Sequence, residues 1–481
     1  MKCCLVWFRR DLRLTDNPAL ARAVAEAESV VPVYIHAPEE ADPWRPGAAS
    51  DWWLHHSLAS LERDLRARGS RLLLRQGSTL KCLQMLLQET RAEAVYWNRL
   101  NEPALVERDQ AVEQALREHG VVAHTCNASL LFEPSELLSS QNTPYRVFTA
   151  FWRAGAERLA ELSPPRPAAK RLTPVPPTLS SLRLAELELL PRVAWDAGFR
   201  IWTPGEAGAL ARLERFEDER LASYGDDRNR PDREGSSRLS PHLHFGEIGP
   251  RQVVAAILQR AAGAADARSG AATYLKEIGW REFAHHLLHH YPHTTDRPLD
   301  GRFEHYPWTP DAAALQAWRA GRTGVPIVDA GMRELWSTGW MHNRVRMIAA
   351  SFLTKNLRIH WLEGARWFWD TLLDADLANN TLGWQWTAGC GADAAPYFRV
   401  FNPVLQAERF DPHRGYLRRW LPEISALPDA LIHRPWLADE RVLAAAGVRL
   451  GVHYPRPLVD LSASRAAALS GYRALRELGP M

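Results

Sequence analysis

Four stretches of this 481-residue chain gather side chains able to do chemistry. In 374-DADLANNTLGWQWTAGCG-391, two aspartates and two adjacent amides precede Trp384 and Trp386. Asp374 and Asp376 can hold an arginine, a ribose hydroxyl or a magnesium ion. A run that is polar, glycine-rich and aromatic together suits a site better than a core. In 340-WMHNRVRM-347, a helix would stack Asn343 on Met347 and His342 on Arg346. Such a surface suits the lining of a pocket for a flat ligand. The turn GSSRLSP at 235–241 offers serine hydroxyls, free backbone N–H groups and Arg238 to an anion such as pyrophosphate, although on this stretch alone a capped loop is the preferred reading. Arg228, Arg230 and Arg233 add charge that can meet backbone phosphates, and a solvated loop explains them equally well. The fourth stretch, 281-REFAHHLLHHYPH-293, spaces His285 with His289 and His286 with His290 on shared helix faces. Glu282 is the one carboxylate there and no HExxH frame exists, so a packed and solvated helix is preferred and no metal is expected.

The elements that must position these residues fall into two kinds. Over the first 125 residues, β-rich runs at 3–8, 30–34, 72–74, 94–97 and 121–124 alternate with helical patterns. That alternation predicts a doubly wound parallel sheet. Asp16 is the expected N-cap of a helix over 17–28 with Pro18 in its first turn. Ser50 is the expected cap of 51–68, a helix with Trp53, Leu54, Leu58, Leu61 and Leu65 on one face. No GxGxxG follows the first strand, so a Rossmann dinucleotide site is not expected. Ligands of such sheets lie beyond the strand carboxyl ends, here near residues 9–16. Residues 163–181 hold six prolines and read as an extended connection. Beyond them, periodicity predicts helices over 205–223, 250–261, 273–290, 311–320, 328–337, 341–355 and 364–372. The expected organisation is an α/β domain over 1–135, a linker over 136–190 and a large all-helical domain over 191–481.

Composition sets the outer bounds. A chain 46% hydrophobic and 24% charged is neither disordered nor collagen-like. Its net charge is +3, so nucleic-acid binding would need a local basic face. Five scattered cysteines without a CxxC pair exclude a disulfide scaffold, a zinc site and a dithiol centre. With no long apolar run and no signal-peptide core, the chain is expected to be soluble and cytoplasmic, away from membranes. Ten of its 20 tryptophans fall between Trp280 and Trp386.

The motifs WREF at 280–283, GWMHNRVRM at 339–347, LDADLANN at 373–380, GWQW at 383–386 and DAAPYFRVFNP at 393–403 occur in order, after FRRDLRLTDNPAL at 8–20. Together they closely resemble the DNA photolyase and cryptochrome family, from Leu5 to the YPRPLVD stretch at 454–460. The resemblance implies an N-terminal antenna domain and a helical domain holding FAD, active when reduced and anionic. Flavin contacts are then expected from Tyr224, Ser236, Ser237, Arg238, Leu239, Ser240, Arg281, Asn343, Arg346, Asp374, Ala375, Asp376 and Asn380. Asn380 matches the position facing flavin N5. The catalytic contacts to a pyrimidine dimer are expected from Glu277, Trp280, Asn343, Met347 and Trp386. Arg228, Arg344, Arg399 and Gln406 join Glu277, Trp280 and Asn343 against UV-damaged DNA. Trp384, Trp361 and Trp308 match an electron relay, where residues alone would suggest core packing.

Within the family, the chain is most like a class I cyclobutane pyrimidine dimer photolyase. Asn343 and Met347 stand where enzymes for the (6-4) photoproduct carry a histidine pair, and only a short tail follows YPRPLVD. The resemblance thus implies a monomeric lyase driven by electron transfer from excited reduced FAD. The alternative is a cryptochrome-like photoreceptor without repair. Tyr274 departs from the tryptophan of enterobacterial enzymes, and His242 and His244 have no family assignment. A second chromophore, methenyltetrahydrofolate or a deazaflavin, is expected, with 98-NRLNEPALVERD-109 only a loose match to a folate pair.

Overall fold

A computed structural model describes residues 1–394 and 398–477. Strands β1 (Cys3–Phe8), β2 (Ser29–His36), β3 (Leu73–Gln76), β4 (Ala94–Asn98) and β5 (Val122–Cys126) alternate with helices α1 (Pro18–Glu26), α2 (Ala48–Ala67), α3 (Thr79–Thr90) and α4 (Pro103–Glu118). Among the described residues they form one five-stranded sheet in the order β3-β2-β1-β4-β5, with every neighbouring pair parallel. The inner strands are apolar over most of their length, with polar residues only at the ends of β2 and β4, because both faces are covered. One face packs Leu5, Trp7, Val33 and Val95 under α3 and α4. The other packs Val6, Phe8, Tyr34 and Tyr96 against α1, α2 and residues far along the chain, including Trp202, Phe245, Trp340 and Leu373.

The starts of α1 and α2 differ from expectation, each through a long-range contact. Asn17, not Asp16, caps α1, its side chain accepting from the Leu20 N–H at 3.1 Å. The Asp16 carboxylate is taken instead by Arg251 at 2.9 Å, 235 residues away. Helix α2 begins at Ala48, after Gly47, which leaves Ser50 buried inside the helix. Its first N–H groups look to another element: Ala48 N–H donates to Asp370 Oδ1 at 3.1 Å. A Cβ on Gly47 would lie 2.4 Å from Asp370 Cα, so only glycine permits that approach.

Residues 163–181 contain neither helix nor strand. Earlier in the stretch 136–190, however, lies a ten-residue helix, α5 (Phe148–Glu157), whose Phe148, Phe151 and Gly155 are buried. The remainder is helical: α6 (Glu206–Glu219), α7 (Tyr224–Asp227), α8 (Ser240–His244), α9 (Pro250–Gly263), α10 (Ala267–His290), α11 (Ala312–Arg319), α12 (Pro326–Thr338), α13 (Asn343–Ser351), α14 (Trp361–Thr371) and α15 (Leu377–Ala388). Helices α16 (Pro403–Phe410), α17 (Gly415–Trp420), α18 (Glu440–Ala445) and α19 (Leu461–Glu477) complete it. Helix α13 starts later than its periodicity suggests because His342 caps it, the ring Nδ1 accepting from Arg344 N–H at 3.1 Å. A π-helical turn over Phe352–Asn356 follows. Gly364 brings α14 onto α15, since a Cβ there would lie 2.0 Å from the Trp384 ring.

The sheet and the helices are joined by buried polar groups. Arg13, 1% exposed, donates to the carbonyls of Asp16, Ala128 and Gly246 at 2.8, 3.0 and 2.9 Å. Glu206 accepts from the Leu14 and Thr15 N–H groups at 2.8 and 2.9 Å. Glu247, fully buried, accepts from the Trp53 indole at 3.0 Å and Gly205 N–H at 2.7 Å, and its other oxygen meets the His242 ring. His242 is therefore part of this joint. Replacing Glu247 by alanine strands three buried partners, each costly to leave unpaired. The expected loss is about 3 kcal/mol, read as a lower denaturant midpoint. An unchanged midpoint would contradict the assignment.

Candidate active site

A cavity of about 710 Å³ opens in the helical half between α7, α8, α10, α13 and α15. Its size is that of an ordinary ligand site. Tyr224, Ser236 to Ser240, Arg281, Asn343, Arg346, Asp374, Ala375, Asp376 and Asn380 all line it. So do Glu277, Trp280, Met347 and Trp386. Residues drawn from five separate stretches are thus brought to one place. Arg228, Arg344 and Arg399 line it as well, whereas Gln406 sits on α16 outside the lining. Ala395, Pro396 and Tyr397 of the DAAPYFRVFNP motif lie outside the described residues.

Local structure explains why these side chains face inward. Helix α13 presents Asn343, Arg344, Arg346 and Met347, one turn's worth of residues, because His342 fixes where the helix begins. Asp376 caps α15 by accepting from Asn379 N–H at 2.9 Å, which sets the phase that turns Asn380, Trp384 and Trp386 to the cavity. Asn380 Nδ2 donates to Ala365 O of α14 at 3.0 Å, and its Oδ1 accepts no hydrogen bond among the described residues. Arg346 Nη2 reaches both oxygens of Asp374, at 3.0 and 2.8 Å. Of the partners open to the two aspartates, Asp374 therefore holds an arginine. Among the described residues no group of three acidic, histidine or cysteine side chains could hold a metal.

Charge in the cavity is constrained from all sides. Burial pushes the Glu277 carboxyl up from its ordinary value, while Arg228, 2.7 Å away, opposes the shift. Asp376 is buried more deeply, yet His285 at 3.3 Å and His244 at 3.7 Å hold it well below the usual carboxylate range. Burial drives His342 down to about 3, and Arg344, Arg238 and Arg346 push the same way. Arg238 sits at a left-handed φ of 51°, its guanidinium 4.8 Å from the Trp340 ring centroid and its Nε buried without a partner. His244 Nδ1, also buried, makes no hydrogen bond among the described residues and has only the Asp376 carboxylate at 3.7 Å beside it. With the serine hydroxyls of 236–240, Arg238 and His244 form the polar set that a dinucleotide's pyrophosphate and sugars require. A flavin dinucleotide fits.

Comparison with known proteins decides the family. Residues 4–170 match the DNA photolyase domain, and residues 274–474 match the FAD binding domain of DNA photolyase. The chain is 45% identical over 477 residues to a deoxyribodipyrimidine photo-lyase of Agrobacterium fabrum, covering 98% of both proteins. It is 40% identical to Cryptochrome-1 of Arabidopsis thaliana, over 96% of this chain and 69% of that protein. A crystal structure described as a bacterial class III photolyase from Agrobacterium tumefaciens superposes with a TM-score of 0.95 at 44% identity, covering 99% and 98% of the two chains. The chain belongs to the DNA photolyase and cryptochrome family. Its fold is that family's fold, with a parallel-sheet N-terminal part and a helical FAD-binding part.

Within this photolyase-family chain, several tryptophans take distinct places. Trp384 lines the cavity and is 2% exposed. Trp361, three residues before the Gly364 on which Trp384 rests, shares that helix face and is 1% exposed. The His360 ring lies 5.7 Å from Trp361 and 5.1 Å from the half-buried Trp308. Trp318 and Trp369 are core, whereas Trp336 is exposed and stacks on Trp367. Local sequence did not single out Trp340, Tyr274 or His244 as lining residues. Tyr274 donates to Ser237 Oγ at 2.9 Å, so its hydroxyl buttresses the serine turn. The histidine cluster is structural: His286 Nε2 accepts from Tyr145 N–H at 3.0 Å, and His290 bonds Pro134 O at 3.0 Å.

A second, narrower cavity of about 100 Å³ lies at the strand carboxyl ends, lined by Trp7, Arg9, Arg10, Tyr34, His36 and Arg108 among others. It falls where a parallel sheet is expected to take a ligand. His244 and Ala375 line both cavities, so a single layer of side chains separates them. Among the described residues no helix is long and apolar enough to cross a membrane.

His342 also makes stability pH-dependent. Its folded pKa, about 3, lies below the ordinary 6.5. Its contribution is therefore complete above pH 6.5 and is lost as pH falls towards 3, where the unfolded chain binds the extra proton. His342→Asn keeps an N-cap acceptor and removes the titration. The dependence of unfolding free energy on pH between 4 and 6 should flatten by about 1.4 kcal/mol per pH unit. Parallel curves for variant and wild type would refute this.

Proposed function

We propose that this chain repairs cyclobutane pyrimidine dimers in UV-damaged DNA by light, holding FAD and a lesion turned out of the duplex side by side. The observation that supports this best is one continuous cavity lined both by the flavin-type residues and by Glu277, Trp280, Asn343, Met347 and Trp386. When bound and reduced, FAD would supply on blue-light excitation the single electron that opens the cyclobutane ring and is then returned. The chain's own residues do the rest. Trp280 and Trp386 offer aromatic walls to a base pair that stacks poorly and so leaves the duplex cheaply. Glu277, its carboxyl biased towards protonation by burial, shares a proton with a dimer carbonyl as charge builds there. Asn380 gives an amide oxygen, which accepts a hydrogen bond without titrating. Trp308, Trp361 and Trp384 carry an electron from the half-exposed end of the series to the cavity wall.

Arg228, Arg344 and Arg399 meet phosphates at the mouth, with Gln406 beside them, so affinity depends on a local basic face and weakens with salt. The narrower cavity takes the antenna chromophore, a methenyltetrahydrofolate or a deazaflavin, with Arg9 and Arg108 stacked on Trp7 at 4.4 and 4.9 Å as its cationic floor. The likeness to the class III structure favours that grouping over class I. The 40% identity to a plant cryptochrome supports the competing reading of a photoreceptor without repair.

Purified protein carrying flavin should restore dimer-containing DNA under blue light and not in darkness. Glu277→Ala should cut repair per absorbed photon several-fold while retaining FAD. Bound flavin without light-dependent repair would favour the photoreceptor, and repair in darkness would sink the mechanism.

A further inference from the structure

Trp280 does not meet the cavity unsupported. Its indole lies flat on Phe148, with ring centroids 3.8 Å apart and planes 10° from parallel. Phe148 and Trp152 stand four residues apart on α5 and so share a face. Their rings are parallel too, 6.4 Å apart at 8°. Trp152 in turn rests on α10 at Gly279, where a Cβ would come within 2.2 Å of its ring. Phe283 closes the remaining side, edge-on to Phe148 at 6.0 Å and to Trp280 at 5.9 Å.

The stack has a direction. Phe148 is buried and does not line the cavity, whereas Trp280 is half-buried and does. One face of the indole is covered and the ring is held from a second side, which removes the rotamers that would swing it away. A wall already fixed in its bound orientation loses less freedom when a ligand arrives. The covering residue comes from α5, within the stretch that joins the sheet to the helices.

We propose that Phe148 is a positioning residue for lesion recognition, holding the Trp280 indole as a flat wall for the extruded pyrimidine dimer. The proposal rests on the reading of Trp280 as a substrate wall, and the experiment separates the two.

Dark binding of the flavin-loaded protein to an oligonucleotide with one thymine dimer, and to its undamaged counterpart, is followed by fluorescence anisotropy. Phe148→Leu should weaken dimer binding roughly three- to tenfold, the size of a lost aromatic stack, with undamaged binding and flavin content at wild-type level. Phe148→Tyr, which restores a ring, should recover the affinity. The double variant Phe148→Leu/Trp280→Ala should bind no more weakly than Trp280→Ala alone. Wild-type dimer affinity in Phe148→Leu, or additive losses in the double variant, would overturn the role of Phe148 while leaving the wall intact. Wild-type affinity in Trp280→Ala would overturn the wall and Phe148 with it. If Phe148→Leu sheds its flavin, Phe148→Met fills the volume without a ring and is read against the same outcomes.

Discussion

The pair formed by Arg346 and Asp374 ties together the two helices that make most of the large cavity. Arg346 belongs to α13, and Asp374 lies just before α15. One guanidinium nitrogen spans both carboxylate oxygens, while Nε donates to Met341 O at 2.7 Å. The Asp374 side chain is only 4% exposed, and a carboxylate so buried costs several kcal/mol if its partner is lost. The separation of α13 from α15 is therefore fixed by a contact that cannot slide. Asn343 and Met347 on one helix, and Asn380, Trp384 and Trp386 on the other, inherit their spacing from it. The Trp340 ring, 5.9 Å from Arg346 and 4.8 Å from Arg238, extends the same restraint to the serine turn.

A second constraint couples this cavity to the sheet. Arg13, Glu206 and Glu247 each bond across the two halves, Arg13 to Gly246 O, Glu206 to the Leu14 and Thr15 N–H groups and Glu247 to the Trp53 indole, and all three are buried. Their removal would leave donors or acceptors unpaired on both sides of the joint, so the halves hold one relative position. That rigidity matters for the two cavities, since only His244 and Ala375 are common to their linings. An antenna in the narrow cavity and a flavin in the wide one would keep a constant separation, the condition for reproducible energy transfer.

Much of this was legible in the residues. The five strands follow from apolar runs, and the polar, aromatic run 374–391 read as a site without its structure. Ordered motifs then named a family that comparison bears out. What escaped were contacts made across the fold. Asp16 has the composition of an N-cap, but Arg251 claims its carboxylate and Asn17 takes the role. Ser50 lost the same role because Asp370, 322 residues distant, receives the first N–H of α2. Tyr274 shows no local signal, for its partner Ser237 is supplied by folding, and the role of the neighbouring pair His242 and Glu247 appears only with the Trp53 indole, 194 residues away, that Glu247 accepts from. Helix α5 was hidden inside a stretch read as linker, its apolar face recognisable only against α10.

Repair of this kind requires a dimer to leave the duplex and enter the cavity beside the flavin. A crystal structure of the flavin-loaded protein with a duplex carrying one thymine dimer tests it directly. The dimer should be turned out of the stack, between Trp280 and Trp386, with a carbonyl within hydrogen-bond reach of Glu277. A dimer still stacked in the duplex outside the cavity would contradict it.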